Sequence, residues 1–136
     1  MNIRSFLIIF AMSSLLHSEE NFGIVVHGGA GVMSGLSEER QQQIHKKIQE
    51  TVSEAYEILE NGGSSFDAVE LAVSMLEDSP LFNAGRGSVY NSDEVQEMDA
   101  SIMDGKNRLS GAVASVSTVK NPIKLARKVA EETKHV

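Results

Sequence analysis

The 136-residue chain has no cysteine and no tryptophan, only two prolines, and just seven aromatic side chains, five Phe and two Tyr. Without cysteine there is no thiol nucleophile, no thiolate-ligated metal and no disulfide, and the redox compartment is left open. Positive charge is also in deficit: 12 Lys and Arg stand against 19 Asp and Glu, a formal net charge of −7. With no basic stripe and few aromatics to stack on bases, nucleic acid is a poor partner. No apolar run reaches the roughly 20 residues that a membrane-spanning helix needs. Residues 1–18 instead read as a secretory signal peptide, with Arg4 in a thin basic start, an apolar stretch from Phe6 to Leu16 and a polar exit. If that signal is used, the expected location is secreted, periplasmic or an endomembrane lumen, and otherwise cytoplasmic.

What is present reads as one mixed α/β (α+β) domain over residues 22–136. Gly23-Ile24-Val25-Val26 is a β-branched run expected to be a buried strand. Ser37 is an N-cap followed by Glu38 and Glu39 at the positive end of a helix dipole. Ile44, Ile48, Val52, Ala55 and Leu59 form the apolar stripe of that helix, and Asn61-Gly62-Gly63 ends it. Ser64 and Asp67 have capping-box spacing for a second helix, with inner face Ala68, Leu71, Ala72, Met75 and Leu76. Pro80 stops it by Asp78 or Ser79. The two helices are expected to pair antiparallel.

Beyond them, Val89-Tyr90 is a possible strand start. Residues 97–104 alternate, with Met98, Ala100 and Ile102 on one face and Asp99, Ser101 and Met103 on the other. Asp104-Gly105-Lys106-Asn107 is a hairpin signal. Residues 109–119 are apolar or small throughout, which fits a strand covered on both faces. Asn121-Pro122 supplies the N-cap and first residue of a third helix, with inner face Ile123, Ala126, Val129 and Ala130.

Two glycine-rich segments carry what chemistry the chain offers. His27-Gly28-Gly29-Ala30-Gly31 lacks the Lys-Ser/Thr of a phosphate loop and the spacing of the dinucleotide fingerprint. It fits either an anion-binding nest of amides or a tight turn under a core His27. Residues 80–88, Pro-Leu-Phe-Asn-Ala-Gly-Arg-Gly-Ser, fit either an inert connector or a scaffold whose carbonyls collect a hard cation while Asn83 points inward. Asp99 and Asp104 are an odd number apart, so an unbroken strand puts them on opposite faces, which argues against joint acid–base work. His17, His27, His45 and His135 lie in unrelated segments without metal-ligand spacing.

Taken in order, six motifs are jointly recognisable: 27–31; Gly62-Gly63-Ser64 with Asp67-Ala68-Val69-Glu70; 80–87; 97–105; Gly111-Ala112-Val113-Ala114; and Asn121-Pro122-Ile123 with Ala126-Arg127. Together they resemble the N-terminal, α-subunit half of the plant-type L-asparaginase/isoaspartyl peptidase family. The resemblance implies the four-layer αββα sandwich of N-terminal-nucleophile hydrolases, here lacking its β-subunit half. It implies a precursor that cuts itself before a Thr, whose hydroxyl then attacks the side-chain amide of L-asparagine or a β-aspartyl dipeptide with its own amine as base. The implied partner is the β subunit, in an (αβ)2 dimer.

Carried over by position, Asn83 lines the active site beside the nucleophile. The backbone carbonyls of Leu76, Glu77, Ser79, Phe82, Ala84 and Arg86 bind a structural sodium ion, and His27, Gly28, Gly29 and Gly31 form the glycine loop near the cleavage site. No organic cofactor is implied. The three threonines here, Thr51, Thr118 and Thr133, are outside the family's cleavage context, so the expectation is that the nucleophile is absent and that the chain alone is inactive. The alternatives are a non-catalytic binding or decoy fragment that pairs with a full-length homologue, and a fragment of an exported, glycosylasparaginase-like hydrolase.

Overall fold

The computed structural model describes residues 22–31 and 34–134. The expected signal peptide, His17 and His135 lie outside the described residues. Helix α1, Glu38–Glu60, starts where Ser37 Oγ accepts the Arg40 N–H at 3.2 Å, with Glu38 and Glu39 in its first turn. It ends in a paired left-handed cap: Gly63 N–H donates to Ile58 O at 2.8 Å and Gly62 N–H to Leu59 O at 3.0 Å, with Gly62 at φ +77°. Helix α2, Ser65–Glu77, follows at once. Ser64 Oγ accepts the Asp67 N–H at 3.1 Å and donates its own proton to Asp67 Oδ2 at 2.6 Å. The helices run antiparallel, because the start of α1 meets the end of α2 through Arg40 Nη2 on Pro80 O at 3.4 Å.

Strands β1, Met98–Asp104, and β2, Leu109–Val116, pair antiparallel. The link between them is a four-residue loop in which Asp104 Oδ1 accepts the Lys106 N–H at 2.9 Å and its Oδ2 accepts Asn107 Nδ2. The left-handed residue of that loop is Arg108, at φ 56°, and not Gly105. Helix α3, Pro122–Glu132, closes the described part.

Two small cores hold these elements together. Phe66 of α2, Ile102 of β1 and Ile123, Ala126 and Ala130 of α3 form one, with Val73, Ala100 and Val113 against it. Ala55, Ala68 and Ala72 form the other, between α1 and α2, with Ile24 and Val26 laid across it. Helix α3 rides directly on Gly111: a Cβ there would meet the Ala126 carbonyl oxygen and stand 2.5 Å from Ala130 N. The bare backbone at Gly111 therefore sets how close helix and sheet come.

The fully buried residues of α1 are Thr51, which is not in the expected stripe, and Ala55, the one member of the stripe that is. The Thr51 hydroxyl can be buried because it donates to Lys47 O at 2.8 Å. Arg127 ties α3 to α2, bonding Asp67 and Glu70 at 2.7 Å and Glu131 at 2.8 Å while lying 4.7 Å above the Phe66 ring.

Four sequence expectations need correction. Residues 23–26 are extended and alternate in burial, yet they pair with no strand among the described residues, and Val25 is 95% exposed. The period-two pattern is there, but a strand exists only where a ladder partner does. Val89 and Tyr90 begin no strand. Both are exposed, and the chain turns just after them, where Asn91 Oδ1 accepts the N–H groups of Asp93 and Val95. Strand β2 stops at Val116 rather than 119 and is covered on one face only, leaving Ala112 and Ala114 exposed. A bulge between Met98 and Ala100 of β1 places Ser115 at φ 52°, its N–H taken by Asp99 Oδ1 at 2.7 Å. His27 is exposed, which removes the reading of a turn under a core histidine. The chain is thus mixed helix and strand, with a two-stranded sheet packed against helices on one side.

Candidate functional site

The site grows from the end of α2. Pro80 forbids another helical turn, and the C-cap Asp78 N–H closes on Ser74 O at 2.9 Å. Ser79 is buried, and its Oγ accepts the Leu81 N–H at 3.3 Å. Phe82 then turns inward, only 6% exposed, and becomes the floor on which the second segment rests. A Cβ on Gly28 would stand 2.9 Å from Phe82 Cε1 and 3.1 Å from Ile48 Cδ1. Glycine at 28 therefore lets the main chain pass close to the Phe82 ring at this one point, and the two glycine-rich segments, distant in sequence, touch there. Within the first of them, the Gly29 N–H is folded back onto His27 Nδ1 at 3.1 Å, with Gly29 at φ +101°.

After Phe82 the loop tightens into a single helical turn, Gly85–Gly87. Ser88 locks it, with its hydroxyl donating to Gly85 O at 2.8 Å. Asn83 is exposed, and its Oδ1 accepts the Val89 N–H at 2.9 Å. That bond fixes which end of the amide is which. The Asn83 NH2 makes no hydrogen bond among the described residues and is left as a donor at the surface of the loop. Gln96 clamps the far side, Nε2 donating to Ser88 O.

The main chain of this loop is folded unusually close to itself. Gly85, at φ +51°, is so near Glu77 that a Cβ would stand 2.5 Å from the Glu77 carbonyl oxygen, and one on Gly87 would collide with the Phe82 carbonyl oxygen. Leu76 O and Ala84 O accept the Ser79 and Gly87 N–H groups at 3.1 and 3.0 Å, and each keeps a second lone pair. The carbonyl-rich turn caps the negative end of α2. A set of main-chain oxygens at a helix C-terminus fits a hard cation and repels an anion.

Beneath the loop, Glu77 is a buried carboxylate, 3% exposed. Its Oε1 accepts the Ile123 N–H at 3.0 Å, and Oε2 has no partner. Burial holds its pKa above the ordinary glutamate value, against the opposing pull of the Ile123 amide. Its neighbour Asp78 is held below the usual range by Lys120 at 2.9 Å and then by Asn121.

The structure thus brings Phe82 against Gly28 of the other segment, with Asn83, Ala84 and Arg86 following Phe82 in the same loop and Leu76, Glu77 and Ser79 at the end of the helix that leads into it. It does not bring Asp99 and Asp104 together. Asp104 is buried on the Ile102 face and committed to the hairpin turn, while Asp99 is exposed and committed to Ser115. Sequence reasoning missed the Glu77 carboxylate, since no local signal links residues 77 and 123. It also missed the Arg127 cluster, because the helical spacing of Asp67 and Glu70 on one helix and of Arg127 and Glu131 on another gives no cross-helix information.

Thr51 is fully buried with its hydroxyl donated to Lys47 O, Thr133 donates to Val129 O at 2.8 Å, and Thr118 lies in the exposed link between β2 and α3.

The sequence is similar to that of known proteins. A protein-family model described as Asparaginase covers residues 20–136. The isoaspartyl peptidase/L-asparaginase of Rattus norvegicus is 53% identical over 112 residues, which is 82% of this chain and 33% of that protein. That of Homo sapiens is 51% identical over 112 residues, covering 82% of this chain and 36% of its own length. A plant-type L-asparaginase of Pyrococcus furiosus is 53% identical over 113 residues, 83% of this chain and 36% of that protein. The chain therefore spans about a third of the length of the curated relatives it matches, and it belongs to the asparaginase family.

Proposed function

We propose that this chain is the α-subunit-like portion of an amidohydrolase acting on L-asparagine or β-aspartyl dipeptides, and that it supplies one wall of the active site while a threonine-bearing half supplies the other. The observation that carries this reading is the contact between the two glycine-rich segments at Phe82 and Gly28, which presents the Asn83 amide on the exposed side of the loop. Amide hydrolysis by acyl transfer needs a nucleophile, a base for its proton, donors for the oxyanion and a binder for the substrate's charged groups. Of these the chain contributes a positioned amide donor.

The open face of the sheet supports the need for a second half. Met103 is 67% exposed there, next to exposed Ser101 and Ala112, and Val89 and Tyr90 are 65% and 68% exposed. A face of this kind is stable when another layer covers it. In this reading the second layer is the β half, giving the αββα sandwich and the (αβ)2 dimer. The same face would also serve the alternative role of pairing with a full-length homologue.

Under the same reading, the carbonyls of Leu76, Glu77, Ser79, Phe82, Ala84 and Arg86 hold a sodium ion. The bound ion supplies rigidity to the loop and takes no part in bond making. What supports it is the tight, glycine-dependent folding of the loop, with Gly85 against the Glu77 carbonyl and Gly87 against the Phe82 carbonyl just past the end of α2.

Co-expression with the threonine-bearing half of a relative tests the proposal. The chain alone releases no ammonia from L-asparagine; the co-purified pair releases it. A stable pair that stays inactive would count against the catalytic reading and leave the decoy role, and an active lone chain would overturn both.

A further inference from the structure

We propose that Glu77 is a positioning residue that couples the cation loop to the start of α3, through its carboxylate on one side and its carbonyl on the other. The proposal rests on the cation reading above. Helix α3 starts without the cap its sequence advertises. Pro122 has no N–H to offer, and Asn121 makes no side-chain capping bond; its Nδ2 donates instead to Asp78 Oδ1 at 3.1 Å. The first donor that needs a partner is the Ile123 N–H, and it finds Glu77 Oε1, 46 residues away in sequence, at 3.0 Å. A carboxylate at this end of a helix is favoured by the dipole.

A cap alone does not require so costly a group. A glutamate that is 3% exposed, with one oxygen unpartnered, is expensive to bury, and an ordinary N-cap side chain would satisfy Ile123 from position 121. What Glu77 adds is its place at the last residue of α2, where its main chain already forms the loop. Gly85 lies against both its carbonyl oxygen and its Cβ, the latter 2.6 Å from where a Gly85 Cβ would be. A shift of the carboxylate with α3 therefore moves the Glu77 Cα and, with it, a carbonyl of the cation set. Asp78, the C-cap of α2, reinforces the link through Lys120 and Asn121, so two successive residues at the end of α2 grip Lys120, Asn121 and Ile123 before and into α3. The coupling is reciprocal: anything that orders the loop orders the start of α3, and the reverse.

Amide hydrogen exchange of the full chain, in sodium chloride against choline chloride at equal ionic strength, reads this directly. In the wild type, sodium slows exchange at Gly87 and Ser88 and also at Ile123, the last by about 5-fold or more, the lower end of measured couplings between linked sites. In Glu77→Ala the Ile123 amide loses its sodium response. In Glu77→Gln, which keeps an acceptor oxygen, the response returns. If Gly87 and Ser88 ignore sodium, the cation reading fails and takes the coupling with it. If they respond while Ile123 does not, or if Glu77→Ala leaves the Ile123 response intact, the coupling alone is overturned. Should Glu77→Ala fold poorly, the wild-type and Glu77→Gln responses decide the matter between them.

Discussion

Replacing Gly111 with alanine adds one methyl group at the tightest point between α3 and the sheet. The new Cβ would meet the Ala126 carbonyl oxygen, Ala130 N at 2.5 Å and Ala130 Cα at 3.0 Å. All three are main-chain atoms of α3, so no side chain can rotate away. The helix must back off by roughly 1 Å, and a gap of that size forfeits about a quarter to a half of each van der Waals contact along the interface. The core affected is the larger of the two, since Ile123, Ala126 and Ala130 all face it from α3. Overpacking of this kind costs about 1–3 kcal/mol. For a domain near 100 residues that lowers Tm by roughly 5–20 °C. Gly105→Ala is the matched control, because nothing lies within 4 Å of its Cβ and its φ is not positive; its effect should stay within about 0.5 kcal/mol. Thermal unfolding followed by circular dichroism separates the two. A Gly111→Ala chain that melts with the wild type would refute the account of how α3 is seated.

Other outcomes follow from the same contacts. Ser37→Ala removes the side-chain N-cap of α1 and should cost about 1 kcal/mol in denaturant midpoint experiments. Arg127→Met breaks three ion pairs at once and the contact over Phe66; the partly exposed members discount the loss to about 1–2 kcal/mol, measured by the same unfolding and diminished at high salt. Asp67, held low by Ser64 and then Arg127, and Asp78, held low by Lys120, have folded pKa values below their unfolded ones. Their contribution is present above the unfolded value near 3.8 and fades as pH falls through the lowered ones. Glu77 runs the other way: its folded pKa is raised above 4.5, so its burial is least costly in acid and the cost grows as pH climbs through the raised value. Asp78→Asn should therefore flatten the acid limb of a stability–pH profile, and Glu77→Gln should flatten the rise in cost above pH 4.5. Opposite slopes would contradict these assignments.

The helices were legible because their signals are local. Ser37 and Ser64 cap where their side chains must, and Gly62 takes the left-handed angle that only the end of α1 requires. Alternation through residues 98–104 gave the correct buried face, with Ile102 in and Met103 out. The turn at 104–107 marked the β1–β2 hairpin, but the rest of the pairing was not legible. Residues 23–26 carry a strand's alternation without a ladder, and the bulge at Ser115 arises from a register that only the folded hairpin defines. The candidate site divides in the same way. Its glycine-rich segments were visible as segments, whereas their meeting at Phe82 depends on the helical hairpin between them. Asn83 was marked by resemblance and not by periodicity, and the Glu77 carboxylate was invisible because its partner lies on another element.

The account stands or falls on whether the Asn83 loop is one wall of a working site. Ammonia release from L-asparagine by the chain paired with a threonine-bearing half, compared with the same pair carrying Asn83→Ala, is the direct measurement. The account predicts that the variant assembles as the wild type does and loses at least about 10-fold in rate, as expected when one positioned hydrogen-bond donor is removed from a reacting centre. Equal rates from equally assembled pairs would contradict it.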